Sequence, residues 1–341
     1  MAAIAQRQSR SRFQIWLNRT RTTRTAWLYL LPALIVMGII TFYPLVYQLW
    51  MSTTDYGIAS LNPSSPRYVE PKPLGLQNYE QIFNGELPVA IANFSFWNVL
   101  AFNLVWTFSN VPIHVVIGVL IAVLLNVKGL WFKRFYRAIY ILPIVVPTLV
   151  IAVVWRNMFD SDYGAINLGI EAIGKIFNPA FDINLRWIEQ VDYPISWLPL
   201  TVSYFALLIT NIWLGWPFMT IVATGALQSI PGDLYEAASI DGASPRQQFL
   251  KITVPLLRPA MIPAAVYGIV MTFNLFNLIY LLSGGGPLRR TEILVTTAYR
   301  LVNEQRLYGV AAAFSVIIFL VLLALTLMTN RLTRATERYD V

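Results

Sequence analysis

An all-α integral membrane protein, with six transmembrane helices and a polar loop between the fourth and fifth, is the fold class this sequence predicts on three observations. The 341 residues are 57% hydrophobic and only 12% charged, against roughly 25% charged in soluble domains; half the usual surface charge is missing, as expected where the outer surface is lipid. Six windows free of Asp, Glu, Lys and Arg (25–54, 87–127, 138–155, 193–232, 259–288 and 307–330) each reach the roughly 18 residues a spanning helix needs. With the N-terminus inside, sixteen of the 25 Lys and Arg but only five of the 17 acids fall on inner segments, the bias that orients multi-pass proteins. Windows 87–127 and 193–232 have room for a helical hairpin, but a hairpin would carry Lys128, Lys133, Arg134 and Arg137 to the outer side.

Span one is expected over 27–50, with Trp27, Tyr29, Tyr43, Tyr47 and Trp50 at its ends, where an interfacial aromatic belt sits. The following outer loop, to about residue 94, is rich in Pro, Asn and Ser and is expected to hold little core. Span two is expected over 97–126. Span three, over 137–159, carries Pro143 and Pro147, which free backbone carbonyls and bend the helix. The outer segment 160–199 carries an amphipathic helix over 165–177. Spans four, five and six follow over 201–227, 260–282 and 308–329. The chain thus divides into a basic cytoplasmic N-terminus (1–25), a transmembrane domain (26–330) and a cytoplasmic tail (331–341). The arginines at 7, 10, 12, 19, 21 and 24 are explained by topology, so the expected partner is the lipid bilayer and not nucleic acid. The apolar run after them exceeds the 7–15 residues of a cleaved signal's core, so span one is expected to be retained.

Several chemistries are excluded. The chain has no cysteine, hence no disulfide, thiol nucleophile or cysteine metal site, and a single histidine, His114, which excludes His clusters. His114 is expected to be a packed, hydrogen-bonded residue. No acid lies in the six windows, so the buried relays of proton-driven carriers are missing. The run Gly169 to Lys175 imitates a phosphate-binding loop, but Ile176 stands where a hydroxyl must hold Mg²⁺. No acid or metal-ligand cluster of a membrane enzyme is visible. No energy-coupling motif of its own is therefore visible in the chain.

The loop over 231–258 is the most informative stretch. Pro231 suits a first helical turn, with Asp233 and Glu236 where the N-terminal dipole favours acids. That helix can run to Asp241 and stop at Gly242, the residue type that takes a left-handed cap freely. Ser244-Pro245-Arg246-Gln247 then offers an N-cap serine, Pro at N1 and Gln at N3, a capping box. A second short helix is expected to end before Pro255. Ala237 and Ala238 keep the first helix slim enough to enter a cleft.

The joint spacing is Glu236-Ala-Ala, three residues, Gly242, nine residues, Ile252, one residue, Val254 and Pro255. It resembles the EAA loop of importer permeases of the ATP-binding cassette class. Leu142-Pro143 with Pro147, Asn211 to Phe218, and Ser283-Gly-Gly-Gly-Pro287 extend the resemblance to the maltose-transporter-like, carbohydrate-uptake permeases. The chain lacks two N-terminal spans and a large outer domain of the maltose permease itself. The resemblance implies a non-catalytic permease subunit in the prokaryotic inner membrane, with both termini cytoplasmic. Its implied partners are a second EAA-bearing permease, an ATPase dimer and an extracytoplasmic solute-binding protein. No cofactor is expected in this chain, since ATP and Mg²⁺ are bound by the ATPase.

The same resemblance assigns ATPase coupling to Glu236, Ala237, Ala238, Asp241 and Gly242. It assigns solute binding to Ile144 and Thr148 in span three, to Asn211, Leu214, Gly215 and Phe218 in span four, and to Gly268, Met271, Thr272, Leu275 and Asn277 in span five. Independently, Asn211, Trp213, Trp216, Phe218, Thr272, Phe273, Asn274 and Asn277 are the amides, hydroxyls and aromatic faces a sugar site needs. Glycerol 3-phosphate or a glycerophosphodiester is the alternative cargo; the absence of Lys and Arg well inside the spans favours a neutral sugar or glycoside. An ion-coupled carrier leaves the EAA spacing unexplained.

Overall fold

The computed structural model describes residues 25, 27–89, 91–127, 129–195, 197 and 199–333. The basic N-terminus before residue 25, Lys128 and residues 334–341 lie outside them. In chain order the helices are α1 (Trp27–Ser52), α2 (Gln77–Asn84), α3 (Phe96–Asn126), α4 (Lys133–Val145), α5 (Thr148–Met158), α6 (Ala165–Phe177), α7 (Val202–Gln228) and α8 (Asp233–Ile240). They continue with α9 (Pro245–Phe273), α10 (Phe276–Leu282), α11 (Leu294–Asn303) and α12 (Tyr308–Thr333). Among the described residues there is no strand, only an isolated bridge between Thr54 and Pro73. Five helices (α1, α3, α7, α9 and α12) are long and apolar enough to cross a membrane, and the α4–α5 pair makes a sixth span if it counts as one. The windows over 87–127 and 193–232 each hold one long helix, not a hairpin.

Three cores hold the bundle. At one end, α2, α3, α11 and α12 close around Ile82, Phe96, Leu301 and Phe314. Beside it, α3, α5, α7 and α10 bury Trp106, Phe159, Leu207 and Leu278. At the other end, α3, α7 and α9 meet at Ala122, Met219, Ala223 and Leu257. Between these ends two spans break, the first for a local reason and the second beside donors from a distant helix. Span three does not merely bend: α4 and α5 meet at 97°. Pro147 forces the preceding residue out of the helical region, and Val146 and Pro147 stand extended with ψ 129° and 135°. Pro143 stays inside α4.

Span five is likewise not continuous to Leu282; α9 ends at Phe273 and α10 restarts at Phe276. Carbonyls orphaned at a helix end inside a membrane protein need new donors, and α3 supplies them. Trp106 Nε1 donates to the Thr272 carbonyl at 3.0 Å and Asn103 Nδ2 to that of Phe273 at 3.2 Å, while Asn103 Oδ1 accepts the Leu294 N–H at 2.8 Å. Asn103→Leu strands both groups. A drop of about 2 kcal/mol or more in stability is expected, at 1–3 kcal/mol per unmet buried group, to be read as a lower unfolding temperature in detergent.

Two further expectations are corrected. The loop after α1 does contribute core: Ile82 on α2 is buried, and the buried Asn78 Nδ2 caps the end of α1 through the Ser52 and Thr54 carbonyls at 2.9 and 2.8 Å. The second loop helix does not stop before Pro255 but runs on as α9. Pro255 has no N–H for the carbonyl four residues back, and the ladder widens instead into a π turn over Phe249–Thr253, with Val254 N–H on the Phe249 carbonyl.

Candidate functional site

A cavity of about 280 Å³ opens halfway along α3 and α7, between the core ends, and both broken spans border it. Ile144, Val146 and Thr148 reach it from the α4–α5 break, and Met271, Thr272 and Leu275 from the α9–α10 break. α7 contributes Asn211, Leu214, Gly215 and Phe218, and α9 adds Tyr267 and Gly268. Irregular backbone at membrane depth persists where it lines a cavity, and discontinuous helices form the sites of many transporters. The structure thus brings together every candidate solute residue except Asn277, which is exposed on α10 and is not in the cavity wall.

The sugar-type side chains divide. Trp213 and Trp216 face a separate apolar groove of about 620 Å³ shared with Tyr136 and Tyr140. Phe273 is buried in a core cluster, and Asn274 bonds its own helix through the Val270 carbonyl at 3.3 Å. The cavity wall contains no Asp, Glu, Lys or Arg. Sequence reasoning did not place Pro143, Val146, Tyr267 or His114 in the wall; Pro143 belongs to a motif it singled out, His114 is the packed, hydrogen-bonded residue it expected, and no local signal marks the other two.

The polar loop forms a braced elbow. α8 starts with Asp233 and Glu236 in its first turn. It ends in a Schellman turn: Gly242 has φ +77°, Ala243 N–H reaches the Ala238 carbonyl at 2.9 Å and Gly242 N–H that of Ser239 at 3.1 Å. The capping box then opens α9, with Gln247 Oε1 accepting the Ser244 N–H at 2.8 Å and Ser244 Oγ the Gln247 N–H at 3.4 Å. Side chains tie the two arms: Gln248 Nε2 donates to Ser239 Oγ (3.0 Å) and the Ala243 carbonyl (3.1 Å), and the Tyr235 and Thr253 hydroxyls pair at 2.9 Å. Glu236, Ala237, Asp241 and Gly242 are exposed and Ala238 half-buried. Glu236 has no ion-pair partner among the described residues. Ile240, 88% exposed at the end of α8, is an apolar knob that the spacing did not flag.

The Ser283–Pro287 motif lies away from the cavity and wraps a buried carboxylate. Glu292 Oε1 stands 2.7 Å from Arg300 Nε and 3.4 Å from Arg289 Nη1, while Oε2 accepts from Thr297 Oγ1 at 3.0 Å. The Arg300 contact is an ion pair whose Nε–H is not aimed at the oxygen, so it counts as charge pairing and not as a hydrogen bond. Burial pushes the Glu292 carboxyl above its usual range, against the pull of Arg289, Arg300 and Thr297. The run from Gly169 to Lys175 is helical within α6, and Lys175 pairs with Glu171, so it presents no phosphate loop.

An all-helical bundle with broken spans around a mid-length cavity and a rigid loop beyond one end is the architecture of a membrane transport component. The chain belongs to the family of binding-protein-dependent transport system inner membrane components, whose family model matches residues 114–338. It is 33% identical over 310 residues to the galactooligosaccharides transport system permease of Bacillus subtilis, covering 89% of this chain and 69% of that one. It is 30% identical over 317 residues to the trehalose/maltose transport system permease of Thermococcus litoralis, covering 92% and 95%. In fold it is similar to a chain of a bacterial ABC transporter that imports the acidic polysaccharide alginate, with TM-score 0.72, 20% identity and coverage of 95% and 100%.

Proposed function

We propose that this chain is the permease subunit of an importer for a sugar or sugar-like solute, an oligosaccharide or glycoside. The solute is delivered by an extracytoplasmic binding protein and moved by ATP hydrolysis on a partner ATPase dimer, with a second EAA-bearing permease completing the membrane channel. The observation that carries this reading is the uncharged cavity formed where two spans break, walled by Asn211, Thr148, Thr272, Phe218 and Tyr267. Aromatic faces and amide or hydroxyl groups are the chemistry that recognises sugars. The lack of a cation in the wall weighs against a phosphate-bearing cargo. The carbohydrate names of the relatives support the same class.

In this reading the elbow over 231–258 lies in the cytoplasm, with both termini, in a prokaryotic inner membrane. Closure of the ATPase dimer moves α8 as a lever; the Schellman turn, capping box and Gln248 tether transmit the displacement to α9 without flexing. α9 leads directly to Gly268, Met271 and Thr272 in the cavity wall, so motion of the elbow shifts that wall. Glu236 reaches a basic partner group, and Ala237 and Ala238 permit close approach.

The test is reconstitution of this chain with its second permease, ATPase and binding protein in proteoliposomes. Uptake and ATPase stimulation are measured for maltotriose, trehalose, a galactotriose and glycerol 3-phosphate. Stimulation by at least one sugar and none by glycerol 3-phosphate is expected; the reverse pattern overturns the carbohydrate assignment.

A further inference from the structure

We propose that His114, beyond packing between α3 and α7, is a solute-contacting, specificity-determining residue of the cavity; the inference rests on the cavity being the solute site. His114 is 3% exposed, on the buried side of α3, and its ring forms part of the cavity wall. Its Nε2 stands 2.9 Å from the Asn211 carbonyl oxygen on α7. A carbonyl can only accept, so Nε2 carries the proton, and in the neutral ring Nδ1 is left as an acceptor. No described residue bonds Nδ1.

The ring is held in this pose by a missing side chain. A Cβ added at Gly215 would fall 2.2 Å from His114 Cε1, 2.4 Å from Nδ1 and 2.5 Å from Nε2. Gly215 therefore leaves the space the imidazole fills, and His114 is what α3 contributes to the cavity lining. Beside it, Asn211 is 2% exposed and its Nδ2 is a buried donor with no partner. An unmet acceptor and an unmet donor on adjacent wall residues are a matched pair for a hydroxyl, which both donates and accepts. Buried polar groups are ordinarily satisfied, and a hydroxylated solute in the cavity would satisfy these two.

The chain has no cysteine, so single cysteines report on the wall directly. In the assembled importer in nanodiscs, His114→Cys, Thr148→Cys and the core control Ala206→Cys are treated with a charged methanethiosulfonate, and labelling is read by mass on this chain. The expected result is labelling of His114→Cys at a rate within about tenfold of Thr148→Cys, slowed by the best-transported sugar, with Ala206→Cys silent. Labelling of Thr148→Cys alone overturns the role of His114 and leaves the cavity standing; silence at both overturns the cavity and this inference with it.

A second measurement separates contact from packing. His114→Leu keeps the volume and loses both nitrogens, whereas His114→Gln keeps a donor and an acceptor. With maltotriose, trehalose and galactotriose as probes, His114→Leu is expected to raise the KM for the transported sugar about tenfold, the worth of one buried hydrogen bond, with kcat little changed. His114→Gln should stay within about threefold of the parent. Equal KM for the leucine variant and the parent overturns the proposal.

Discussion

Glu236→Ala is expected to lower solute-stimulated ATP hydrolysis by the assembled importer at least about tenfold while its abundance in the membrane is unchanged. The side chain is exposed in the first turn of α8 and has no ion-pair partner within the described chain, so removing it disturbs nothing inside the subunit. Loss of one charged partner at an interface costs roughly 2–5 kcal/mol when the other charge is left buried, and even about 1.4 kcal/mol is tenfold. Gly242→Val should act in the same direction by another route. An added Cβ meets nothing within 4 Å, but the φ of +77° remains, and a left-handed conformation costs an L residue roughly 1–2 kcal/mol. ATPase assays on purified complex, alongside immunoblots of the membrane fraction, decide both. Undiminished coupling in Glu236→Ala would remove the elbow from the mechanism.

Gly118→Val is expected to prevent accumulation of folded protein, or to lower its unfolding temperature in detergent by many degrees. α3 and α7 pack closely at this point: a Cβ on Gly118 would lie 2.5 Å from Met219 Cβ and 2.9 Å from both Met219 C and Thr220 N. Two of these are backbone atoms, which cannot swing aside. Overpacking of a tight core typically costs 1–3 kcal/mol, and a rigid obstacle belongs at the upper end. Small residues are what allow membrane helices to approach this closely. Gly225→Ala on α7 meets nothing within 4 Å and serves as the control, with an unfolding temperature at or slightly above the parent's. A normal unfolding temperature for Gly118→Val would mean that the α3–α7 seam is looser than its geometry implies.

Much of the architecture is legible because it depends on short-range chemistry. The long helices follow from charge-free length, and α6 from its 3.6-residue apolar period. The Gly242 turn and the Ser244–Gln247 box follow from residues within one helical turn of each other, so their geometry is written locally. Proline was legible as a disturbance but not in its outcome. Pro147 breaks a helix outright because Val146 goes extended, Pro143 is absorbed within α4, and Pro255 is passed by widening the ladder. The same residue type gives three results, since each depends on the backbone the residues around it adopt: extended at Val146, helical around Pro143, a π turn before Pro255.

The residues alone establish a helical membrane protein, the course of its long helices and the two caps that turn the elbow, because hydrophobic length and capping are properties of contiguous chain. They do not establish the depth at which span five breaks. That is fixed by Asn103 and Trp106, which reach the α9 carbonyls from positions 170 and 166 residues away in the sequence. Nor do they reveal that His114 fills the space left by Gly215 and holds the Asn211 carbonyl 97 residues distant. Packing across separate helices makes those choices, because an unmet polar group inside a bundle is satisfied by whichever neighbour the fold brings within about 3 Å.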